Sequence, residues 1–285
     1  MTASGVASIS VLMPLRNYHS RYLRESIGSL FEQGDPAWLL LIICEAEDMS
    51  RFRTVLADVV RDERVRLIAN EGRKLAGAFN TGMRAAHTSF VAVLLSDDLW
   101  APNAVESLHR NINAYPGADF FYSARRIIDE NGKALSSVHQ PPDHLSPDDF
   151  PRGAVKHLLC WRRQKALSFG GMDETLNSVG PDDYDFPWLM FEHGAQFRAV
   201  HECLYIYRDH HDGYRLTTHV PRSVHLRELR RILRKHGVER PLIARALREA
   251  KRGFLRECVY RNEFHRRLLD VLGVVPQSRW RQSYR

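Results

Sequence analysis

The chain has 285 residues, of which 44% are hydrophobic and 26% charged, a composition typical of a globular protein with a sizeable core. Its longest apolar run, Trp38–Cys44, is too short to span a bilayer, and residues 1–8 lack the basic start and apolar core of a signal peptide, so we expect a cytoplasmic protein. Four scattered cysteines argue against a zinc cage or a disulfide framework. The net charge of +7 is concentrated in residues 220–285, which hold 18 Lys and Arg against 6 Asp and Glu.

Apolar runs alternate with helical patterns over the first hundred residues. Strands are predicted at Ile9–Pro14, Trp38–Cys44, Val65–Ala69 and Phe90–Leu95. Helices are predicted between them, at Arg21–Gln33, Phe52–Val60 and Lys74–Ala86. This alternation indicates an α/β fold with a mostly parallel, Rossmann-like sheet flanked by helices.

The alternation weakens after residue 100. We predict, in order, a helix at Ala104–Tyr115, a strand at Asp119–Ser123, a hairpin turn at Asn131–Gly132, helices at Ala154–Phe169 and Asp182–His193, and a strand at Cys203–Arg208. Two further helices, His225–His236 and Pro241–Leu272, are predicted in the basic part of the chain. Because the charge changes sign near residue 220, we expect one domain at 1–219 and a basic helical extension at 220–285.

Two adjacent carboxylates, Asp97 and Asp98, directly follow the apolar run Phe90–Leu95. Ligands of open α/β sheets bind just past the carboxyl ends of such strands. Carboxylates in a loop suit Mg²⁺ or Mn²⁺, and such an ion in turn holds a diphosphate. The glycine-rich loops of Rossmann and P-loop nucleotide sites are absent from the sequence, so a metal on carboxylates is the obvious way to hold a nucleotide. The alternative is an ordinary strand-end turn, with Asp98 near the start of a helix.

Six segments form a series along the chain: ISVLMPLRNY at 9–18, LAGAFNTG at 75–82, VLLSDDLWAP at 93–102, FGGMDE at 169–174, PDDYDF at 181–186 and YIYRDH at 205–210. In this order and at these spacings they resemble the family 2 glycosyltransferases, which are inverting enzymes with a GT-A fold. The resemblance covers residues 8–219. It implies that this part is a catalytic domain and that the chain moves a sugar from a nucleotide-sugar donor to a hydroxyl acceptor.

The resemblance also implies a metal site for Mn²⁺ or Mg²⁺. Asp98 is matched to direct coordination, and Asp97 to a contact with the ribose, the sugar or a water molecule on the metal. His210 is matched to an imidazole ligand of the metal or a contact to the diphosphate. An ordinary polar turn around His210 remains the alternative.

Catalysis and donor binding are assigned through the same resemblance. Asp183 is matched to the general base that deprotonates the acceptor, and Asp182 to a residue that orients the acceptor or the base, although both also suit a simple helix start. The donor-binding residues implied by the matched segments are Pro14, Arg16, Asn17, Glu45, Asn80, Asp97, Arg208 and Arg215.

Three departures from the family pattern bear on the nucleotide. Cys44 and Glu45 stand where the family often has two aspartates that include the base-recognising acid, and Phe79 and Leu95 replace an arginine and an acid. Glu45 is able to accept a hydrogen bond from a uracil or guanine N–H, so we favour a UDP-sugar, with dTDP and GDP open. Two other functions stay open: a nucleotide-sugar or glycan binder that has lost catalysis, and a sugar-phosphate nucleotidyltransferase, whose glycine- and arginine-rich loop is missing after Pro14.

The expected acceptor is a polysaccharide, a glycolipid or a similar lipid-linked glycan. For the basic extension, one interpretation is a helical cap that packs on the catalytic domain or pairs two subunits in a homodimer. The other is peripheral contact with anionic lipid at the inner face of the membrane. Nucleic acid is not an expected partner, because no recognition motif accompanies the charge.

Overall fold

The computed structural model describes residues 9–176, 184–210 and 221–261. Its strands are β1 (Ile9–Pro14), β2 (Trp38–Cys44), β3 (Val65–Ala69), β4 (Phe90–Val93), β5 (Leu99–Trp100), β6 (Phe120–Ile128), β7 (Leu159–Arg162) and β8 (Phe197–Arg208). Its α-helices are α1 (Ser20–Phe31), α2 (Met49–Val55), α3 (Lys74–Ala85), α4 (Ala104–Ala114), α5 (Arg163–Leu167), α6 (Asp185–Glu192), α7 (Arg222–Lys235) and α8 (Arg240–Arg261). The predicted α/β fold with a C-terminal helical part is confirmed.

One half of the sheet is parallel. The eight strands run in the order β3-β2-β1-β4-β7-β6-β8-β5, and β3, β2, β1 and β4 are parallel neighbours. Their carboxyl ends therefore lie at one edge. The strand order reverses direction between β1 and β4, and a crevice at such a point is where open α/β sheets bind ligands.

The other half of the sheet corrects one prediction. The helix predicted at Ala154–Phe169 is wrong: Leu159–Arg162 forms strand β7, and only Arg163–Leu167 is helical. Strand β7 lies antiparallel between β4 and β6, where Cys160 and Trp161 are fully buried. A short apolar run covered on both faces is stable as a central strand, and the pairing partners that decide this are distant in sequence.

The long strands β6 and β8 pair in parallel from Phe120 to Ile128, so that β8 ends at the same edge as β1 and β4. Only five residues, 94–98, separate β4 from β5, and β5 pairs with the end of β8 through Leu99↔Ile206 and Trp100↔Tyr205. This linker therefore carries the chain from the end of β4 to the end of β8 along the carboxyl edge of the sheet.

Two hydrophobic cores cover the two faces of the sheet. One contains Leu23 of α1 and Leu108 of α4, and the other contains Phe79 of α3 and Phe186 of α6. Neighbouring residues of β1 point alternately into the two cores, as a strand buried on both faces requires.

The described part of the basic extension packs against the rest of the chain. Leu229 and Leu233 of α7 and Leu247 of α8 belong to the same core as α3 and α6. At the end of α7, His236 stacks on Trp188 of α6 with ring centroids 4.2 Å apart. These helices thus form a cap on one face of the sheet. Within the described residues no helix is long and apolar enough to cross a membrane.

Candidate active site

Four predicted site residues meet where β4 and β8 end. Asp97 and Asp98 lie in the linker between β4 and β5, Arg208 is the last residue of β8, and His210 follows it. The sequence separates the two pairs by more than a hundred residues, and the pairing of β5 with β8 brings them together.

Asp98 is built into the protein interior. Its side chain has 0% exposure. One carboxylate oxygen accepts a hydrogen bond from the Tyr205 hydroxyl at 2.7 Å, and the other accepts one from the Arg208 backbone N–H at 2.8 Å. Burial, with the Asp98 carboxylate as a second cause, raises the pKa of Tyr205 well above its usual range, so the phenol stays a neutral donor. These two hydrogen bonds fix the linker to β8, and the expected direct coordination of a metal by Asp98 stays a prediction.

Asp97 is the aspartate that faces outward. Its side chain is 24% exposed, and its Oδ2 lies 2.9 Å from Nε2 of His210, whose side chain has 0% exposure. The His210 ring lies 5.2 Å from the ring of Tyr22. Within the described part of the chain, the other ring nitrogen of His210 has no hydrogen-bond partner. Two of the residues predicted as metal ligands are thus neighbours, one buried and one open.

Arg208 stabilises the turn that contains Asp97. It is 2% exposed, and its Nε donates to the backbone carbonyl of Asp97 at 3.0 Å. The guanidinium pairs with the Glu25 carboxylate and lies 4.5 Å from the centre of the Tyr22 ring. These contacts position the Asp97 turn, and the predicted contact between Arg208 and the donor stays a prediction.

Glu45 lies at the carboxyl end of β2, beside the end of β3. Its Oε1 accepts a hydrogen bond from the Asn70 side chain at 3.1 Å, and the residue is partly exposed. The neighbouring Cys44 is buried, and this burial, followed by the charges of Asp48 and Glu45, raises the pKa of its thiol to about 11. Of the two residues that replace the family's aspartates, Glu45 is therefore the more exposed one, and its contact with a nucleotide base stays a prediction.

Asn80 clamps a loop. Its amide donates to the Met172 carbonyl at 2.9 Å and to Glu174 at 3.0 Å, and its oxygen accepts from the Met172 N–H at 2.8 Å. Glu174 also accepts from the Arg73 N–H at 2.8 Å. With its polar atoms engaged and its side chain buried, Asn80 orders the FGGMDE segment, and its predicted contact with the donor stays a prediction.

The remaining predicted site residues fall into two groups. Pro14 ends β1 at the crevice, and Arg16 and Asn17 after it are exposed there. Asp182, Asp183 and Arg215 lie outside the described residues.

Asp97 and His210 fit a divalent cation in part. A carboxylate oxygen and an imidazole nitrogen are donors that Mn²⁺ accepts, and here Asp97 is partly exposed while His210 is buried directly beside it. The described residues contain no group of three His, Cys, Asp or Glu arranged for a metal. An ion at this position therefore needs further oxygen donors, such as those of a diphosphate.

Sequence reasoning missed three residues that support the site. Tyr205 and Glu174 lie within the matched segments YIYRDH and FGGMDE, so their position in those motifs was an available signal. Glu25 carries no such signal, because its pairing with Arg208 depends on how α1 packs against the end of β8.

Comparisons with known proteins agree with this architecture. A family model described as glycosyl transferase family 2 matches residues 10–165, more than half of the chain. The O-antigen biosynthesis protein RfbC of Myxococcus xanthus is 25% identical over 206 residues, which cover 70% of this chain and 16% of RfbC. The UDP-Glc:alpha-D-GlcNAc-diphosphoundecaprenol beta-1,3-glucosyltransferase WfgD of Escherichia coli is 32% identical over 126 residues, which cover 43% of this chain and 47% of WfgD. The match thus spans less than half the length of either relative.

Among solved structures, the S. aureus TarS 1-349 complex with UDP-GlcNAc superposes with a TM-score of 0.62 at 14% sequence identity. The superposition covers 80% of this chain and 66% of that chain. At this level of identity the likeness concerns the fold.

Proposed function

Because the chain belongs to glycosyl transferase family 2, we propose that it transfers a sugar from a nucleotide-sugar donor, a UDP-sugar in the first instance, to a hydroxyl of a polysaccharide, glycolipid or similar glycan. The observation that carries the proposal is the Asp97–His210 pair where β4 and β8 end, at the carboxyl edge of the sheet. The UDP-sugars named for WfgD and for the TarS complex support the choice of nucleotide.

The proposed reaction is a direct displacement that inverts the anomeric carbon. The acceptor oxygen bonds to the anomeric carbon while the bond between this carbon and the diphosphate oxygen breaks. The nucleoside diphosphate then leaves. The acceptor proton passes to a carboxylate base, for which we keep Asp183, with Asp182 orienting the acceptor, on the strength of the PDDYDF motif alone.

We assign the metal to Asp97 with His210 beside it, in preference to Asp98. A bound Mn²⁺ or Mg²⁺ supplies Lewis-acid neutralisation of the diphosphate leaving group. Asp97 is partly exposed, whereas both oxygens of Asp98 are already engaged in the interior. Glu45, held by Asn70 at the end of β2, is proposed to accept from the base of the nucleotide.

The test is release of free nucleotide from UDP-, dTDP- and GDP-sugars, with Mn²⁺ or with EDTA. We expect Mn²⁺-dependent release from one donor, since a transferase slowly hydrolyses its donor when no acceptor is present. Calorimetry with each nucleotide and Mn²⁺ runs beside it. Binding without release under any condition would favour the catalytically inactive binder, and absence of both would contradict the proposal.

We further propose a lipid-linked acceptor and a cytoplasmic protein in peripheral contact with the membrane. The strongly basic residues 220–285 support this contact. The homodimer expected from the sequence stays a prediction, which the mass in solution tests.

A further inference from the structure

A cleft of about 170 Å³ lies between the two helices of the basic extension. It is lined by Ser223, Leu226, Arg227 and Arg230 of α7 and by Leu247 and Lys251 of α8. The two leucines are continuous with the hydrophobic core beneath. The cleft therefore has an apolar floor and a cationic rim.

The cleft lies on a separate face of α7 from the one that packs inward. Leu229, Ile232 and Leu233 are buried beneath the helix, whereas Arg227 and Arg230 are exposed. Positions three and four apart lie on the same side of a helix, so Ser223, Arg227 and Arg230 form one row that faces α8. The residues of α7 that pack against the core thus do not fill the cleft.

The charge at this cleft is poorly compensated. Residues 221–252 hold eleven Lys and Arg against three Asp and Glu. Glu228 lies 3.3 Å from Arg227, which stays largely exposed. Among the described residues, Arg230 and Lys251 have no carboxylate within ion-pair distance. The cleft is consequently a place where a ligand's negative charge finds cations that are not already paired.

Other cations of α7 serve the protein itself. Arg231 donates to the Thr175 carbonyl and hydroxyl, and Lys235 lies within 3.0 Å of carboxylate oxygens of Asp173 and Asp185. The contrast separates cations that anchor α7 from cations at the cleft that face solvent.

We propose that the α7–α8 cleft docks the chain onto a membrane surface rich in anionic phospholipid. The inference deepens the membrane contact of the proposed function and rests on it. Exposed cations attract the phosphate of a headgroup, and the leucine floor offers apolar surface to the glycerol and acyl region beside that phosphate. Nucleic acid fits less well, because no aromatic residue is among the described side chains that line the cleft.

The experiment is vesicle co-sedimentation of the full chain, with vesicles of pure phosphatidylcholine and vesicles that also contain phosphatidylglycerol. We expect binding to the anionic vesicles alone, weakened by salt. The test variant combines Arg227→Gln, Arg230→Gln and Lys251→Gln. It should lower the partition onto anionic vesicles by about 100-fold, since each basic residue near such a surface contributes roughly a factor of five.

A matched control removes the same charge elsewhere. The variant with Arg24→Gln, Arg53→Gln and Arg66→Gln changes three exposed arginines of the α/β part and should retain most of the binding. A charge-keeping variant, Arg227→Lys with Arg230→Lys, should bind like the wild type. Equal binding to both vesicle types, or equal loss in the test and control variants, would overturn the proposal, as would binding to a DNA oligomer in place of vesicles.

Nucleotide release is measured in the same protein samples. Vesicle binding lost in the test variant while release persists confirms the cleft. If the wild-type protein binds vesicles but releases nucleotide from no donor, the docking proposal stands and the glycosyl-transfer proposal is contradicted. The two proposals therefore fail in different ways.

Discussion

Nε2 of His210 lies 2.9 Å from Oδ2 of Asp97, although 113 positions separate the two residues in the sequence. The contact joins the end of β8 to the linker after β4, and it orients a partly exposed carboxylate with a buried imidazole. A carboxylate fixed in this way needs little reorganisation when a cation or a diphosphate arrives.

Substitution of this carboxylate tests the proposed metal assignment. We expect Asp97→Asn to lower Mn²⁺-dependent nucleotide release by about 100-fold, because removal of one preorganised electrostatic group typically has an effect of this order. The measurement is the initial rate of release at saturating donor. Asp58→Asn, at an exposed surface carboxylate, is the matched control and should keep the wild-type rate. An unchanged rate in Asp97→Asn would refute the assignment.

His210→Gln should act on the metal more than on the donor. The amide keeps a hydrogen bond to Asp97 but offers no imidazole, so the Mn²⁺ concentration for half-maximal release should rise by about 10–100-fold. Release at saturating Mn²⁺ should recover in large part. A loss of activity that no concentration of Mn²⁺ restores, at an unchanged melting temperature, would place His210 outside metal binding.

Tyr205→Phe should reduce stability. It removes the hydroxyl that donates to the buried Asp98 carboxylate at 2.7 Å and leaves that oxygen without this donor. The expected loss in the free energy of unfolding is about 1–3 kcal/mol, measured by denaturant titration. Tyr18→Phe, at a half-buried tyrosine, is the control and should lose less. Equal losses would show that the hydrogen bond contributes little.

The ion pair between Asp173 and Lys235 makes the stability of the cap depend on pH. Burial raises the pKa of Asp173, but hydrogen bonds from Thr175 and Lys235 outweigh it, and the pKa lies below its ordinary value of 3.8. A lowered pKa means that this stabilisation is present above 3.8 and is lost as the pH falls through the folded-state pKa.

Asp173→Asn should therefore lower the melting temperature at neutral pH, with the difference from the wild type shrinking below about pH 4. Thermal unfolding across this range measures it. A difference that stays constant with pH would show that the ionised form of Asp173 contributes nothing to the stability of the protein.

The parallel half of the fold was predictable from local pattern. Ile9–Pro14, Trp38–Cys44 and Val65–Ala69 form strands with the predicted bounds. The first two are apolar runs buried on both faces, and the third is a mostly apolar edge strand in which Arg66 is exposed. The run around Cys160 was misassigned to a helix because its strand character depends on pairing with β4 and β6. Local pattern carries no information on such partners.

The candidate site was predictable in composition and not in geometry. The motif located Asp97 and Asp98, but which of the two turns inward is decided by Tyr205 and Arg208 on β8. Asn80 likewise matches the family pattern, whereas its role as a clamp becomes visible only when Met172 is placed beside it. Motifs identify residue types, and tertiary contacts assign their orientation.

The burial of Asp185 bears on where the chain can be truncated without loss of folding. Its carboxylate has 0% exposure and is met by Lys235 at 2.9 Å and His236 at 3.0 Å, both beyond the sequence-based boundary at residue 219. Truncation at that boundary would leave a buried carboxyl group without these two partners, a costly change for a folded protein. We therefore expect an autonomous folding unit to extend at least through His236, so that the change of charge near residue 220 marks a difference in surface chemistry and not a point where the chain divides.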